Sequence, residues 1–202
     1  MIEMGDNEIR SATVKYKLKF LLDIFKGINY YIAGGCLRDL FSIGHITTDI
    51  DVFFPNRKEV AKAIRALRRY KVKCGFHNKQ LANFYYKKQK IQIIKSFLYP
   101  TVQDIIKDFD FTVCSVAYDG KAFYCHDGFF YDLAAKRLMI NHVRLPLNTL
   151  SRVVKYVKKG YTICNANLLI LSKEIAKTDF NNPAQNLFTH YPDGRIKFLS
   201  ID

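Results

Sequence analysis

Two aspartates one residue apart, Asp49 and Asp51 in TTDIDVFF, are the side chains in this sequence best placed to do chemistry. The spacing predicts a strand over 48–54, and residues two apart on a strand point to one face. Both carboxylates then project together while Ile50 and Val52 pack behind them. Like charges so close are costly unless a cation sits between them, and an all-oxygen ligand set favours magnesium or manganese. Upstream, Tyr30 to Ala33 read as a buried strand and Cys36 to Phe41 as the first turns of a helix. Between them Gly34 and Gly35 allow a tight turn and close approach of a ligand. The unpaired N–H groups of the helix that follows suit a phosphate. A phosphate cradle beside a divalent-metal site is what phosphoryl or nucleotidyl transfer requires: phosphate charge is neutralised and the attacking oxygen is oriented.

The string GGCLRDL followed by TDIDVFF resembles the signature of the polymerase-beta-type nucleotidyltransferases, and in its fuller form the head domain of tRNA CCA-adding enzymes and bacterial poly(A) polymerases. The resemblance implies that Asp49 and Asp51 bind catalytic magnesium ions and that Gly34, Gly35 and Arg38 contact an incoming NTP, with Asp39 orienting Arg38. A second stretch, DFDFTVCSVAYDG, is similar to the family segment RRDFTINALAYD. It implies roles in sugar recognition for Asp110 and Thr112, while the two family arginines are replaced by Asp108 and Phe109. Asp110 would instead complete the metal cluster if its strand ran beside Asp49 and Asp51. The family's third acidic position on a neighbouring strand shows Gln92. YDLAAKRLMINH resembles the segment that closes the head, with Asp132 expected as a helix N-cap. LNTLSRVVKYVKKGYTI resembles the start of the neck, with Arg152 and Lys155 at two basic positions. The base-reading EDxxR element falls on Leu145, Pro146 and Thr149, so none of its polar readers is kept. The resemblance covers roughly residues 28 to 160.

A chain of 202 residues suggests one domain, or one with a small appendage. Its hydrophobic content of 49%, with 16 Phe and 13 Tyr, is ample for a core. Its 32 Lys and Arg against 18 Asp and Glu give a formal charge of +14, which points to a polyanionic partner, above all nucleic acid. The five cysteines are scattered, with no CxxC and no zinc-ligand spacing, and read as buried thiols in a reducing compartment. No apolar run is long enough to span a bilayer, and the acidic start MIEMGDNEIR is not a signal-peptide n-region. The expectation is a cytoplasmic protein with no membrane partner.

Along the chain, apolar residues at three and four spacing predict an amphipathic helix over 7–26, with Gly27 as C-cap. A second helix over 58–69 ends in a basic patch of Arg65, Arg68 and Arg69, positioned to steer RNA. Strands follow in KVKC, LANFYYKK and KIQIIKSF, the last two joined by a turn at Lys88-Gln89. A short helix is expected over 100–107 and a hairpin at Asp119-Gly120. The character turns helical from Leu147, with one more helix near 162–177 and turns at 181–183 and 191–194. The reading is an α/β (α+β) fold: a mixed-sheet nucleotidyltransferase head over 1–145 backed by helices, then a short helical neck and tail over 146–202. The function expected is magnesium- or manganese-dependent transfer of an NMP from an NTP to an acceptor hydroxyl, most plausibly an RNA 3′ end such as that of tRNA. Arg65, Arg68, Arg69, Arg152 and Lys155 would contact that RNA. Transfer to a protein or small molecule, and a non-catalytic nucleotide or RNA binder, are the alternatives.

Overall fold

The structure, a computed structural model, describes residues 2–4, 8–179, 188–190 and 196–198, with side chains described over 16–179. The turns expected at 181–183 and 191–194 lie outside the described residues. In chain order the elements are β1 (Ile2–Met4), α1 (Glu8–Ile24), β2 (Tyr31–Ala33), α2 (Gly35–Ile43), β3 (Ile50–Phe54), α3 (Arg57–Arg69), β4 (Lys73–His77), β5 (Leu81–Tyr86), β6 (Gln89–Leu98), α4 (Val102–Asp108), a 3-10 turn (Thr112–Cys114), β7 (Val116–Tyr118), β8 (Phe123–Cys125), α5 (Phe129–Ala134), β9 (Arg137–Leu138), α6 (Pro146–Val157), β10 (Thr162–Ile163), α7 (Asn165–Ala176), β11 (Phe188–His190) and β12 (Ile196–Phe198). No helix among the described residues is long and apolar enough to cross a membrane.

Local chemistry explains where these elements start and stop. Asn56 caps α3 by accepting a hydrogen bond from the Glu59 amide at 3.1 Å, and Arg68 and Arg69 sit in its last turn against the negative end of the helix dipole. Thr101 and Asp104 form a reciprocal capping box that starts α4 at Val102, two residues later than the pattern suggests. β3 begins at Ile50, so Asp49 stands one residue before the strand. Tyr86 pairs with Gln89, which leaves Lys87 and Lys88 as the turn between β5 and β6. Thr162 and Ile163 pair in parallel with Arg137 and Leu138, and this pairing delays α7 until Asn165.

Eight strands form a mixed sheet in the order β1-β8-β7-β2-β3-β6-β5-β4. Every pairing in it is antiparallel except β3 with β6. Period-two alternation divides its two faces. Ile50, Val52 and Phe54 on β3, Ile91 and Ile93 on β6 and Phe84 on β5 join Leu18 and Leu21 of α1, Leu37 of α2 and Leu67 of α3 in the main core. Each fully buried Leu, Ile or Phe contributes on the order of 2 kcal/mol from removal of apolar surface. On the opposite face α4 packs Val102, Ile105 and Ile106 on Ala33 and Ala117. A separate cluster of Phe111, Val113, Leu138, Val153, Tyr156 and Leu171 binds α6 and α7 to the segment after α4. Between α4, α6 and the exposed part of this sheet face the structure leaves a cavity.

Candidate active site

The cavity, of about 480 Å³, is bounded by β3, β5 and β6 on one side, the amino end of α2 on a second and α6 on a third. Asp49 and Asp51 both line it. Asp51 is fixed by the ladder, opposite Ala33 on β2 and Gln92 on β6. Asp49 is braced by Lys90, whose ammonium lies 2.6 Å from its carboxylate, each side chain being 29% exposed. The same end of β6 holds the backbone there, because the Gln89 amide donates to the Thr48 carbonyl at 2.9 Å. Lys90 does not line the cavity, so it supports Asp49 from the rim.

Gly34 caps α2 with φ +82 and ψ −135, a conformation L side chains rarely adopt. A Cβ there would lie 3.1 Å from the Phe109 ring, so the residue standing where the related family has an arginine covers this glycine with an aromatic face. Gly35 lines the cavity and Gly34 does not. A Cβ on Gly35 would meet the Thr48 hydroxyl at 3.1 Å. That hydroxyl oxygen is buried with no hydrogen-bond partner among the described residues.

Arg38 reaches the cavity, but its donors are already engaged. Nη2 and Nε donate to Asp39 Oδ1 at 2.6 and 3.1 Å, and Nη1 donates to the Tyr156 hydroxyl and lies 3.7 Å from Cys114 Sγ. Asp39 takes the backbone N–H and hydroxyl of Thr47 on its other oxygen. Burial alone would raise the Asp39 carboxyl, but Arg38 and Thr47 hold it below the ordinary carboxylate range. Tyr156, in contact with Cys114 at 2.7 Å, is pushed up chiefly by burial.

Asp110 lines the cavity and is 7% exposed, yet it is not part of a metal cluster. Arg152 holds its carboxylate at 2.5 Å, and no group of three His, Cys, Asp or Glu among the described residues could hold a metal ion. Asp110 is thus joined to a cation from α6, and the described residues show no three-acid group that includes it with Asp49 and Asp51. Asn141 fixes the approach of this segment by donating to the Ile106 and Phe109 carbonyls at 2.9 and 3.0 Å. Thr112 also stands apart from the cavity. It sits in the 3-10 turn, does not line the cavity, and donates its hydroxyl to Asp132 at 2.6 Å. Asp132 lies within α5, also bound by Arg137 at 2.7 Å, and Gly128 takes the N-cap position instead.

Of the five basic residues, Arg152 and Lys155 line the cavity, whereas Arg65, Arg68 and Arg69 stand exposed on α3 away from it. Sequence reasoning missed Lys90, Thr48, Tyr156, Lys159 and a clasp at the cavity mouth. In that clasp Asp108 accepts hydrogen bonds from Tyr99 and Arg144, and Arg144 lies 4.6 Å from the centre of the Phe97 ring. Lys90 carried a signal: it has the same parity on β6 as Gln92, which places it on the face of the two aspartates.

Two carboxylates, a helix amino end and a cationic helix face around one cavity, on a mixed sheet with a single parallel pair, define a nucleotidyltransferase-like fold. The likeness to solved structures agrees. A CCA-adding enzyme in complex with ATP matches with a TM-score of 0.68 at 19% identity, over 88% of this chain and 47% of that one. A tRNA nucleotidyltransferase complexed with a primer tRNA and an incoming ATP analogue matches with a TM-score of 0.60 at 18% identity, over 77% of this chain and 50% of that one. The Thermotoga maritima CCA-adding enzyme complexed with tRNA gives 0.64 at 19% identity, over 88% and 46%. At such identities the likeness shows the fold alone. By sequence, the chain belongs to the Gabija anti-defense 2 family, whose profile matches residues 7–136. A curated relative, Gabija anti-defense 2 of Bacillus phage SPbetaL7, is 32% identical over 146 residues, which are 71% of this chain. The chain spans only 36% of that relative's length.

Proposed function

We propose that this chain is a divalent-metal-dependent nucleotidyltransferase domain that moves an NMP from an NTP to the 3′ hydroxyl of an RNA, such as tRNA, with release of pyrophosphate. The observation that carries the reading is the opening of Asp49 and Asp51 into the same cavity as the amino end of α2 and the cationic face of α6. The acceptor oxygen forms a bond to the α-phosphorus, the bond from that phosphorus to the bridging oxygen breaks, and pyrophosphate leaves with the electron pair. Gly35 and the first turn of α2 offer backbone N–H groups to the phosphates, and Lys155 and Lys159 supply positive charge along the opposite wall. Arg38, locked by Asp39, keeps that first turn in place.

The residues fit a hard cation. Magnesium is held through one or two carboxylates plus substrate phosphates rather than by an all-protein cage, so Asp49 and Asp51 suffice. The Thr48 hydroxyl, buried without a partner among the described residues, lies beside Gly35 at the edge of the same cavity. When bound, such an ion supplies neutralisation of phosphate charge and polarisation of the reacting phosphoryl group. The fold's likeness to proteins solved with tRNA and with ATP supports RNA and NTP as partners. The relative's description as an anti-defense protein favours a second reading, with a protein of the host defence as acceptor.

The test incubates the protein with magnesium, each α-labelled NTP in turn, a total tRNA pool and, separately, a protein extract. An Asp49→Asn, Asp51→Asn double variant serves as blank. Label on RNA, absent with the variant, is the expected result. Label on protein replaces the first reading with the second. Absence of transfer to either, with NTP still bound, refutes the enzyme assignment and leaves a nucleotide binder.

A further inference from the structure

The charge of this chain is not spread evenly. Between Glu59 and Asp104 the sequence has eleven Lys and Arg and no Asp or Glu. That leaves 21 Lys and Arg against 18 Asp and Glu in the rest, so most of the excess of +14 sits in this one stretch. It folds into nearly all of α3 and into β4, β5 and β6, which are adjacent strands at one end of the sheet. Of these cations, Lys62 pairs with Glu59 and Lys90 with Asp49, and both of those acids lie outside the stretch. Strand β4, the edge strand among the described residues, is exposed along its whole length.

The same end carries aromatic rings out in solvent. Tyr70, which follows α3, is 58% exposed, Phe76 on β4 is 61% exposed and Tyr85 on β5 is 39% exposed. Tyr85 is held flat: a Cβ on Gly75 would come within 2.5 Å of its ring, so the glycine is what lets the ring lie across β4. Register connects this ring to the cavity. Lys73, Tyr85 and Lys90 face one another across three adjacent strands, and Lys90 grips Asp49. Strands lie about 4.8 Å apart, so Tyr85 is one strand spacing from Lys90 and Lys73 is two. The positive field is felt locally as well. Partial desolvation, then Lys95 and Arg68, hold the His77 imidazole below its ordinary range.

Cations with no acid in their own stretch of sequence, interleaved with exposed ring faces, match one polymer in particular. Single-stranded nucleic acid offers a phosphate and an unpaired base at each step, and bases stack on aromatic side chains without sequence preference. A duplex presents phosphates only, because its bases are already stacked. We propose that the β4–β5–β6 end of the sheet, with the last turn of α3, is the binding surface for the 3′ segment of a single-stranded RNA. Its phosphates lie on the lysines and arginines and its bases on Tyr70, Phe76 and Tyr85. The Lys73–Tyr85–Lys90 row leads the strand terminus to Asp49 and Asp51. Delivery of the terminus rests on the transfer reading above; binding to the surface does not.

The test measures anisotropy of a short, unstructured, fluorescein-labelled RNA across a salt series, with CD spectra of each variant as a fold control. Affinity is expected to fall with salt, by about 0.7 in the log–log slope for each phosphate contacted. Lys73→Ala should reduce that slope by about one such step. Phe76→Ala and Tyr85→Ala should each weaken binding roughly 5- to 150-fold, the size of one stacked base, and leave the slope unchanged. Phe76 is so exposed that its loss leaves the core intact. A blunt duplex RNA bound as tightly as the single strand, or aromatic variants that bind like wild type, would overturn the proposal and reduce the surface to a diffuse positive field. Binding of each labelled NTP is measured in parallel. RNA binding without binding of any NTP would keep this surface and sink the transfer reading, and NTP binding without RNA binding would do the reverse.

Discussion

Replacing Arg38 by Met removes the cation from a pair that is almost wholly enclosed, with side chains 5% and 6% exposed. Asp39 would keep its two bonds from Thr47 and lose both bonds from the guanidinium. Breaking a buried pair from one side costs about 3–5 kcal/mol, because the remaining charge is left uncompensated. Replacing Asp39 by Leu in the same chain removes that charge and should restore most of the loss, since an apolar pair of similar volume is often neutral. The effect carries a pH signature. In the wild type the Asp39 carboxyl is held below its ordinary value of 3.8. Its contribution is therefore fully present above that value and is lost as pH falls through the lower folded value. In Arg38→Met, burial is opposed by the Thr47 bonds alone, so the folded value moves up relative to the wild type. The gap between wild type and variant is then largest at neutral pH and closes only as pH falls through the lowered wild-type value. Urea unfolding at pH 7 and at two lower pH values reads all three quantities. A cost under about 1 kcal/mol, a double variant no better than the single, or a gap independent of pH would refute this account of the Arg38–Asp39 pair.

Three further outcomes follow from the site. Thr112→Val should cost about 1–3 kcal/mol, because Asp132 is 2% exposed and loses a hydrogen-bond donor, while ATP affinity stays unchanged; weakened ATP binding at wild-type stability would return Thr112 to the nucleotide site. Lys90→Met should cost at most about 1 kcal/mol in urea unfolding, since the pair is partly exposed and screened; a cost above twice that would mean the brace is effectively buried. Gly34→Ala should lower stability by about 1–3 kcal/mol for its left-handed backbone alone. Adding Phe109→Ala should not restore that backbone share in thermal unfolding, and full restoration would assign the whole cost to the Phe109 ring.

The sequence states the centre of this site and says little of its surroundings. Asp49, Asp51 and Gly34-Gly35 are legible because local periodicity and residue type alone place carboxylates on one face and a turn before a helix. The partners of these groups are not legible, because they come from far along the chain. Lys90 reaches Asp49 across 41 residues, Arg152 reaches Asp110 across 42, and Tyr156 reaches Arg38 across 118. Asp110 looked like a third metal ligand because a strand was expected to carry it. It precedes a 3-10 turn instead, and its carboxylate meets α6. Thr112 received its expected role from the resemblance, and the contact of its hydroxyl with α5 is a long-range one that the segment does not announce. Phe109 shows a different limit, since nothing in its residue type announces that its ring will lie over Gly34.

The single parallel pairing of the large sheet has a consequence for how such a chain can change. Parallel neighbours require a crossover between them, and here the crossover from β3 to β6 is the run 55–88, which holds α3, β4 and β5. The aspartates sit on one side of that excursion, and Gln92 and the lysine that braces Asp49 sit on the other. Closing a longer excursion costs only about 0.6 kcal/mol per doubling of its length. The outer end of the sheet is thus free to lengthen, shorten or trade residues while the alignment of Asp51 with Gln92 stands. The surface proposed to bind RNA and the carboxylates proposed to act on it would then lie on separately adjustable parts of one chain. Insertions and deletions among its relatives should accordingly gather in 55–88 and spare the strands that bound it; an even scatter across β3 and β6 would contradict that division.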